Sequence, residues 1–168
     1  MTRQPFVVVG LLTFATMGVV GQSKPSIQGV WRVAERTTTG PEGATNRNPQ
    51  PGQWIFTAKH YSFVQDTSVK PRVVVEPLSP GAKLTDAQMA ERYRDWAPIS
   101  AQSGTYEITG TTLSLRPIAA KGSGVLARKT GLSYQFKVDG NALVLTSLTG
   151  PTGNKTPNPT TIRLTRAE

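Results

Sequence analysis

The chain has 168 residues, 37% hydrophobic and 17% charged, with 16 glycines, 13 prolines, a single histidine and no cysteine. That length holds one globular domain. The missing thiols exclude disulfide bridges, thiolate metal centres and a cysteine nucleophile, and a lone His60 excludes a multi-histidine metal site. The formal charge of +9 comes from lysines and arginines spread along the chain, with Arg128 and Lys129 the only adjacent pair. No basic run marks a specific nucleic-acid interface, and the charge implies a cationic surface open to acidic partners.

In chain order, Arg3, the uncharged apolar stretch Phe6 to Val20 and the small residues Val19 and Gly21 form a secretory signal pattern. The expected division is a signal peptide over 1–21 and a mature domain over 22–168. The domain would then be exported, periplasmic or secreted, with no stable membrane insertion after cleavage. The apolar stretch falls short of the roughly 20 residues a membrane-spanning helix requires.

Period-2 alternation follows. Ile27, Gly29, Trp31 and Val33 share one face of a first strand, with Gln28, Val30, Arg32 and Ala34 on the other. Thr37 to Pro51, rich in Thr, Gly, Pro and Asn, has too little apolar content to form an element and reads as a long surface loop. Strands are expected over 52–57 and 60–65, where Trp54, Phe56, Tyr61 and Phe63 point to one side. Val73 to Glu76, between prolines, reads as a short edge strand.

The period then changes. Thr85 and Gln88 make a capping-box pattern, Asp86 suits a helix N-terminus, and Met89, Tyr93 and Trp96 recur on one face. These signals predict an amphipathic helix over 86–97 that ends at Pro98 and packs its stripe on the rest of the protein. Strands return over 104–109 and 112–117 around Gly110-Thr111, over 132–138 and 143–148 around Asp139-Gly140-Asn141, and over 161–166. No strand-helix-strand alternation occurs. The fold class is therefore all-β: an eight-stranded antiparallel meander closing into a barrel, with one inserted amphipathic helix.

Specific residues add a resemblance. Gly29-Val30-Trp31 on the first strand resembles the lipocalin signature. The run Gly52-Gln53-Trp54-Ile55-Phe56-Thr57 with Tyr61, the amphipathic helix, and Ser103-Gly104-Thr105-Tyr106-Glu107-Ile108 resemble the bacterial lipocalin-like domain family. The resemblance spans about residues 27–148 and implies a calycin-type barrel that binds a small apolar molecule. It also implies that a late arginine covers the tryptophan of the first strand. Arg166 shares a face with Ile162 and Leu164, so parity selects it over Arg163.

Ring parity sends Trp54, Phe56, Tyr61, Phe63, Tyr106, Ile108, Tyr134 and Phe136 into the barrel. An eight-stranded barrel either fills itself with side chains or holds one small ligand, so these rings can be core or pocket wall. The expected ligand-binding residues are Trp54, Phe56, Tyr61, Phe63, Tyr106 and Tyr134, beneath the Thr37 to Pro51 loop as a flap. A buried phenol needs a hydrogen-bond partner, which a ligand or water can supply. Glu35 continues the inward parity of Trp31 and Val33. It is either an inward anchor or base, or a solvated residue paired with a basic side chain at the strand's end. No catalytic residue, metal or cofactor is expected, since no G-x-S-x-G, phosphate loop or paired-carboxylate spacing occurs. Three readings stay open: a carrier or scavenger of a small hydrophobic molecule, a cofactor-free isomerase or cyclase of calycin type, and a filled barrel that acts through its surface, for example as an inhibitor.

Overall fold

A computed structural model describes residues 26–72, 79–127, 131–150 and 153–168. The expected signal segment and the expected edge strand at Val73 to Glu76 lie outside the described residues. Eight antiparallel strands close a barrel: β1 (Gly29–Thr38), β3 (Gly52–Phe56), β4 (His60–Asp66), β5 (Ile99–Thr109), β6 (Thr112–Ala120), β7 (Ser133–Asp139), β8 (Ala142–Ser147) and β9 (Thr160–Arg166). Each pairs with its neighbour in the chain, and β1 pairs with β9 to complete the ring. A two-residue strand, β2 (Thr45–Asn46), lies against the far end of β1. The helices are α1 (Asp86–Trp96) between β4 and β5 and the single turn α2 (Ser123–Leu126) after β6. No helix among the described residues is long and apolar enough to cross a membrane.

The alternation read from the sequence produces the core. Cross-strand partners in an antiparallel ladder share a face. One inward row therefore runs Trp31, Trp54, Phe63 and Gln102 across β1, β3, β4 and β5. Leu113, Leu115, Leu143, Leu145, Ile162 and Leu164 complete the interior from β6, β8 and β9. At the β5–β6 and β7–β8 turns, Gly110 and Gly140 take φ of +59° and +55°. The residue after each has ordinary φ, as in a type II′ hairpin turn.

The two ends of the barrel differ. At one end the β3–β4, β5–β6 and β7–β8 turns are tight, and Trp31 and Arg166 close the opening. The Arg166 guanidinium lies 4.2 Å from the Trp31 ring centre, donates to the carbonyls of Gln28 (2.8 Å) and Ser26 (3.1 Å), and lies 3.4 Å from that of Glu168. Trp31 Nε1 donates to the Ile27 carbonyl at 2.7 Å. Gly29 takes φ +128°, and a Cβ there would sit 2.5 Å from Arg166 Nη1. The glycine two residues before the tryptophan is therefore what lets the arginine lie over the ring. The other end carries every long connection: Thr39 to Pro51, the α1 segment, the α2 segment and the chain between β8 and β9.

Three expectations need correction, and one open alternative is decided. The Thr37 to Pro51 stretch is not wholly irregular. β1 runs on to Thr38, and Thr45 and Asn46 pair with Thr37 and Arg36, because backbone bonds can form a ladder without apolar side chains. Ile108 has the inward parity of its partner Leu113, yet it sits at the closed end's rim and is 44% exposed. The α1 stripe does not pack inward: Met89, Tyr93 and Trp96 are 48%, 72% and 51% exposed, and the helix has no buried residue. Local signals still make the helix. Thr85 and Gln88 form the capping box, and the Lys121 ammonium serves the C-terminal carbonyls of Trp96 and of Ala97 (3.0 Å) and the nearby Ile99 carbonyl (2.9 Å). The alternative left open for Glu35 is decided in β1. Its register against β9 slips between Val33 and Glu35, a β-bulge that places Glu35 opposite Arg163 and Arg36 opposite the buried Ile162. The inward parity thus passes from Glu35 to Arg36.

Candidate ligand site at the loop-bearing end of the barrel

The six residues singled out from the sequence divide into five and one. Trp54, Phe56, Tyr61, Phe63 and Tyr134 are buried and form one aromatic cluster. Trp54 stacks on Phe63 at 4.1 Å and meets Tyr134 edge-on at 6.0 Å, while Phe56 and Tyr61 extend the stack. Such ring pairs add to the burial of their area. Tyr106 is half-buried at the closed end. Its hydroxyl donates to the Thr57 carbonyl at 2.6 Å and its ring abuts Phe56, so it has its partners away from the loops.

Polar groups enter this apolar interior from the loop-bearing side. Gln65, the next inward residue after Tyr61 and Phe63, lies 3.4 Å from Trp54 Nε1 through Oε1, at the long limit of a hydrogen bond. Gln102 projects inward opposite Phe63. Two atoms here have no hydrogen-bond partner: the Tyr61 hydroxyl and Gln102 Oε1. Leaving a buried donor or acceptor unmet costs about 1–3 kcal/mol, so two such atoms in one core are a feature to be explained. Burial pushes the Tyr61 phenol far above its ordinary range, with the nearby Tyr134 adding to the rise. Tyr134 is pushed up to about 12 by burial, against the opposing pull of Arg36. Both hydroxyls are therefore neutral donors at any physiological pH.

Arg36 is the charge of this site. Burial lowers its pKa and Tyr134 partly restores it, but a guanidinium keeps its proton throughout the accessible range. With Val33, Asn46, Gln50, Gln65 and Asp66 among its neighbours, it lines a cavity of about 20 Å³, enough for one water-sized group. Asp66 is engaged elsewhere: it accepts from Ser68 N (2.8 Å) and Ser68 Oγ (2.6 Å) and lies 3.9 Å from Arg72. Among the described residues, no carboxylate lies within ion-pair distance of Arg36. The inner rim is hydroxylic, with Thr38 and Thr160 3.1 Å apart and Ser147 Oγ accepting from Thr160 N at 2.9 Å.

The wall is also thinnest at this end. β6 and β7 share three residue pairs, Thr112 to Ser114 against Gln135 to Ser133, plus the Leu115 N to Leu132 carbonyl bond. Among the described residues, Arg116 to Ala120 have strand partners only on β5. Beside this seam, Ile118 and Leu126 are exposed.

Sequence parity reached the rings but not the polar layer. Gln65 was legible as the continuation of the Tyr61, Phe63 alternation. Gln102 lies in Ile99 to Ser103, whose small and polar residues carry no strand signal, and Arg36 was hidden by the bulge. His60, the one histidine, is exposed beside its turn, and among the described residues no group of three acidic or histidine side chains is placed to hold a metal. No protein-family model matches the chain, and no curated protein matches it; the architecture itself is a closed eight-stranded antiparallel barrel consistent with a calycin-like fold.

Proposed function

We propose that this is an exported, lipocalin-like binding protein, a carrier or scavenger that takes a small hydrophobic molecule with a polar end through the loop-bearing mouth of its barrel. The observation that carries the reading is the pair of unpartnered atoms, Tyr61 Oη and Gln102 Oε1, set in an otherwise apolar barrel interior that Arg36 also faces. A purely structural core gains nothing from them, because an apolar replacement of similar shape removes their desolvation cost. A bound acceptor meets the need of the Tyr61 hydroxyl, and a bound donor or water that of Gln102 Oε1. The Thr37 to Pro51 flap supports the same reading, since Asn46 and Gln50 line the cavity at Arg36.

The isomerase or cyclase alternative has less to stand on. Glu35, its candidate base, is turned to the outer face, and the largely buried carboxylate of Asp66 is engaged by Ser68. The surface-interaction reading has one observation in its favour, the exposed Met89, Tyr93 and Trp96 of α1.

Native mass spectrometry of the purified protein, together with titration by an uncharged hydrophobic fluorescent probe, tests the proposal. Carriage predicts a co-purified small molecule or saturable one-to-one probe uptake, with quenching of tryptophan emission. A folded protein that shows neither is a filled barrel, and the exposed face of α1 then becomes the leading site.

A further inference from the structure

We infer that the ligand carries an acidic head group, a carboxylate or comparable oxyanion, held at the loop-bearing end by the Arg36 guanidinium with the Tyr134 hydroxyl beside it. This rests on the binding function proposed above and specifies the chemical class of what is bound.

The argument begins with the bulge. Regular alternation would have put Glu35 into the barrel and Arg36 outside, where a cation is cheaply solvated. The slip between Val33 and Glu35 reverses this, so an arginine faces the interior opposite Ile162. A half-buried guanidinium normally has a carboxylate across from it. Arg166 shows how this chain satisfies one without a carboxylate, with two carbonyls and an aromatic ring. For Arg36 neither solution is built: the described residues bring it no ion pair within 4 Å, and the acid sharing its cavity, Asp66, is held by Ser68.

The interior shares the imbalance. Tyr134 and Tyr61 present hydroxyls whose acidity is suppressed by burial, and the one on Tyr61 meets no acceptor. Guanidinium and the Tyr134 phenol together form a set rich in donors. A carboxylate is acceptor-only, with about four lone-pair directions, and matches that set. A neutral alcohol or amide head would satisfy a phenol and leave the charge unmet. The apolar part has surfaces in the same interior: the Trp54, Phe63 and Tyr134 rings.

The test compares straight-chain fatty acids of six to sixteen carbons with the matching primary alcohols, measured by displacement of the uncharged probe. Wild type should bind its best acid at least tenfold more tightly than the alcohol of equal length. Arg36→Gln should abolish that preference by weakening the acid about tenfold or more while leaving the alcohol within twofold, and Arg36→Lys should keep part of it. If Arg36→Gln does not fold, Tyr134→Phe serves instead and should narrow the preference severalfold. Equal binding of acid and alcohol, or a preference that survives Arg36→Gln, overturns the inference and leaves the carrier function standing. Failure of probe, acids and alcohols alike to bind the folded protein overturns both.

Discussion

Two arginines near opposite ends of one barrel divide this molecule into a part that is finished and a part that is not. Arg166 lies over Trp31 and donates to the carbonyls of Gln28 and Ser26, with three hairpin turns tightening the end around it. Arg36, half-buried, faces the raised phenol of Tyr134 and finds no ion-pair partner among the described residues. The same side chain on two strands that pair with each other thus meets opposite conditions. The difference teaches that burial alone does not mark a structural charge: the closed end spends its arginine on the chain's own groups, whereas the loop-bearing end leaves one available.

The sharpest way to break this comparison is to remove the platform at the closed end. Trp31→Ala deletes a fully buried ring and the floor under Arg166, and should cost about 3–5 kcal/mol in denaturant unfolding. Parent-like stability in that variant would mean that the closed end is not where the fold is secured.

The alkaline limb comes next in size and reads the other half. The Tyr134 phenol ionises near 10 in an unfolded chain and is pushed up to about 12 in the fold. Between those values the unfolded chain has lost a proton that the folded chain keeps. Its contribution is thus complete below pH 10 and is lost as pH rises through 12, on the order of 2–3 kcal/mol. Phenolate absorbance tracked against unfolding should show Tyr134 titrating late or only as the protein unfolds. Arg36→Gln should delay it further, because the guanidinium is the group that eases its ionisation.

The smallest contrast is the most direct. Arg166→Gln should cost about 2 kcal/mol through lost charge-assisted bonds and the ring contact. Arg36→Gln should fall within about 0.5 kcal/mol of the parent or improve on it, since it removes a desolvated charge without breaking a bond among the described residues. Thermal melts of the two variants side by side decide whether the ends differ as described.

Most of the closed end was legible beforehand. The glycines at the β5–β6 and β7–β8 turns carry local chemistry that points to one geometry, and the resemblance implied an arginine over Trp31, for which parity selected Arg166. The ring faces of β3, β4 and β7 were equally readable, because alternation of period 2 survives wherever a strand is regular. The loop-bearing end was not legible, for a physical reason in each case. A bulge adds one residue to one strand, and nothing in Val33-Ala34-Glu35 announces it, so Glu35 and Arg36 exchanged faces. Gln102 sits where Ser, Ala and Gln make a strand by pairing with β4 rather than by hydrophobicity. The exposed stripe of α1 shows the converse: a periodic pattern establishes the helix without saying that its face is covered.

The β1–β9 seam also sets the order in which the molecule can be made. Thr38 and Thr160, joined across that seam, lie 122 positions apart, so every other strand has been synthesised before the ring can shut. Until then β1 and β8 each keep a bare edge able to recruit a neighbouring chain. Hairpins such as β5–β6 can form early and locally, but the Trp31–Arg166 contact is a late event whose closure entropy is met only once the intervening chain has collapsed. Refolding should therefore be slow for a protein of this size, and most vulnerable to aggregation just before the ring closes.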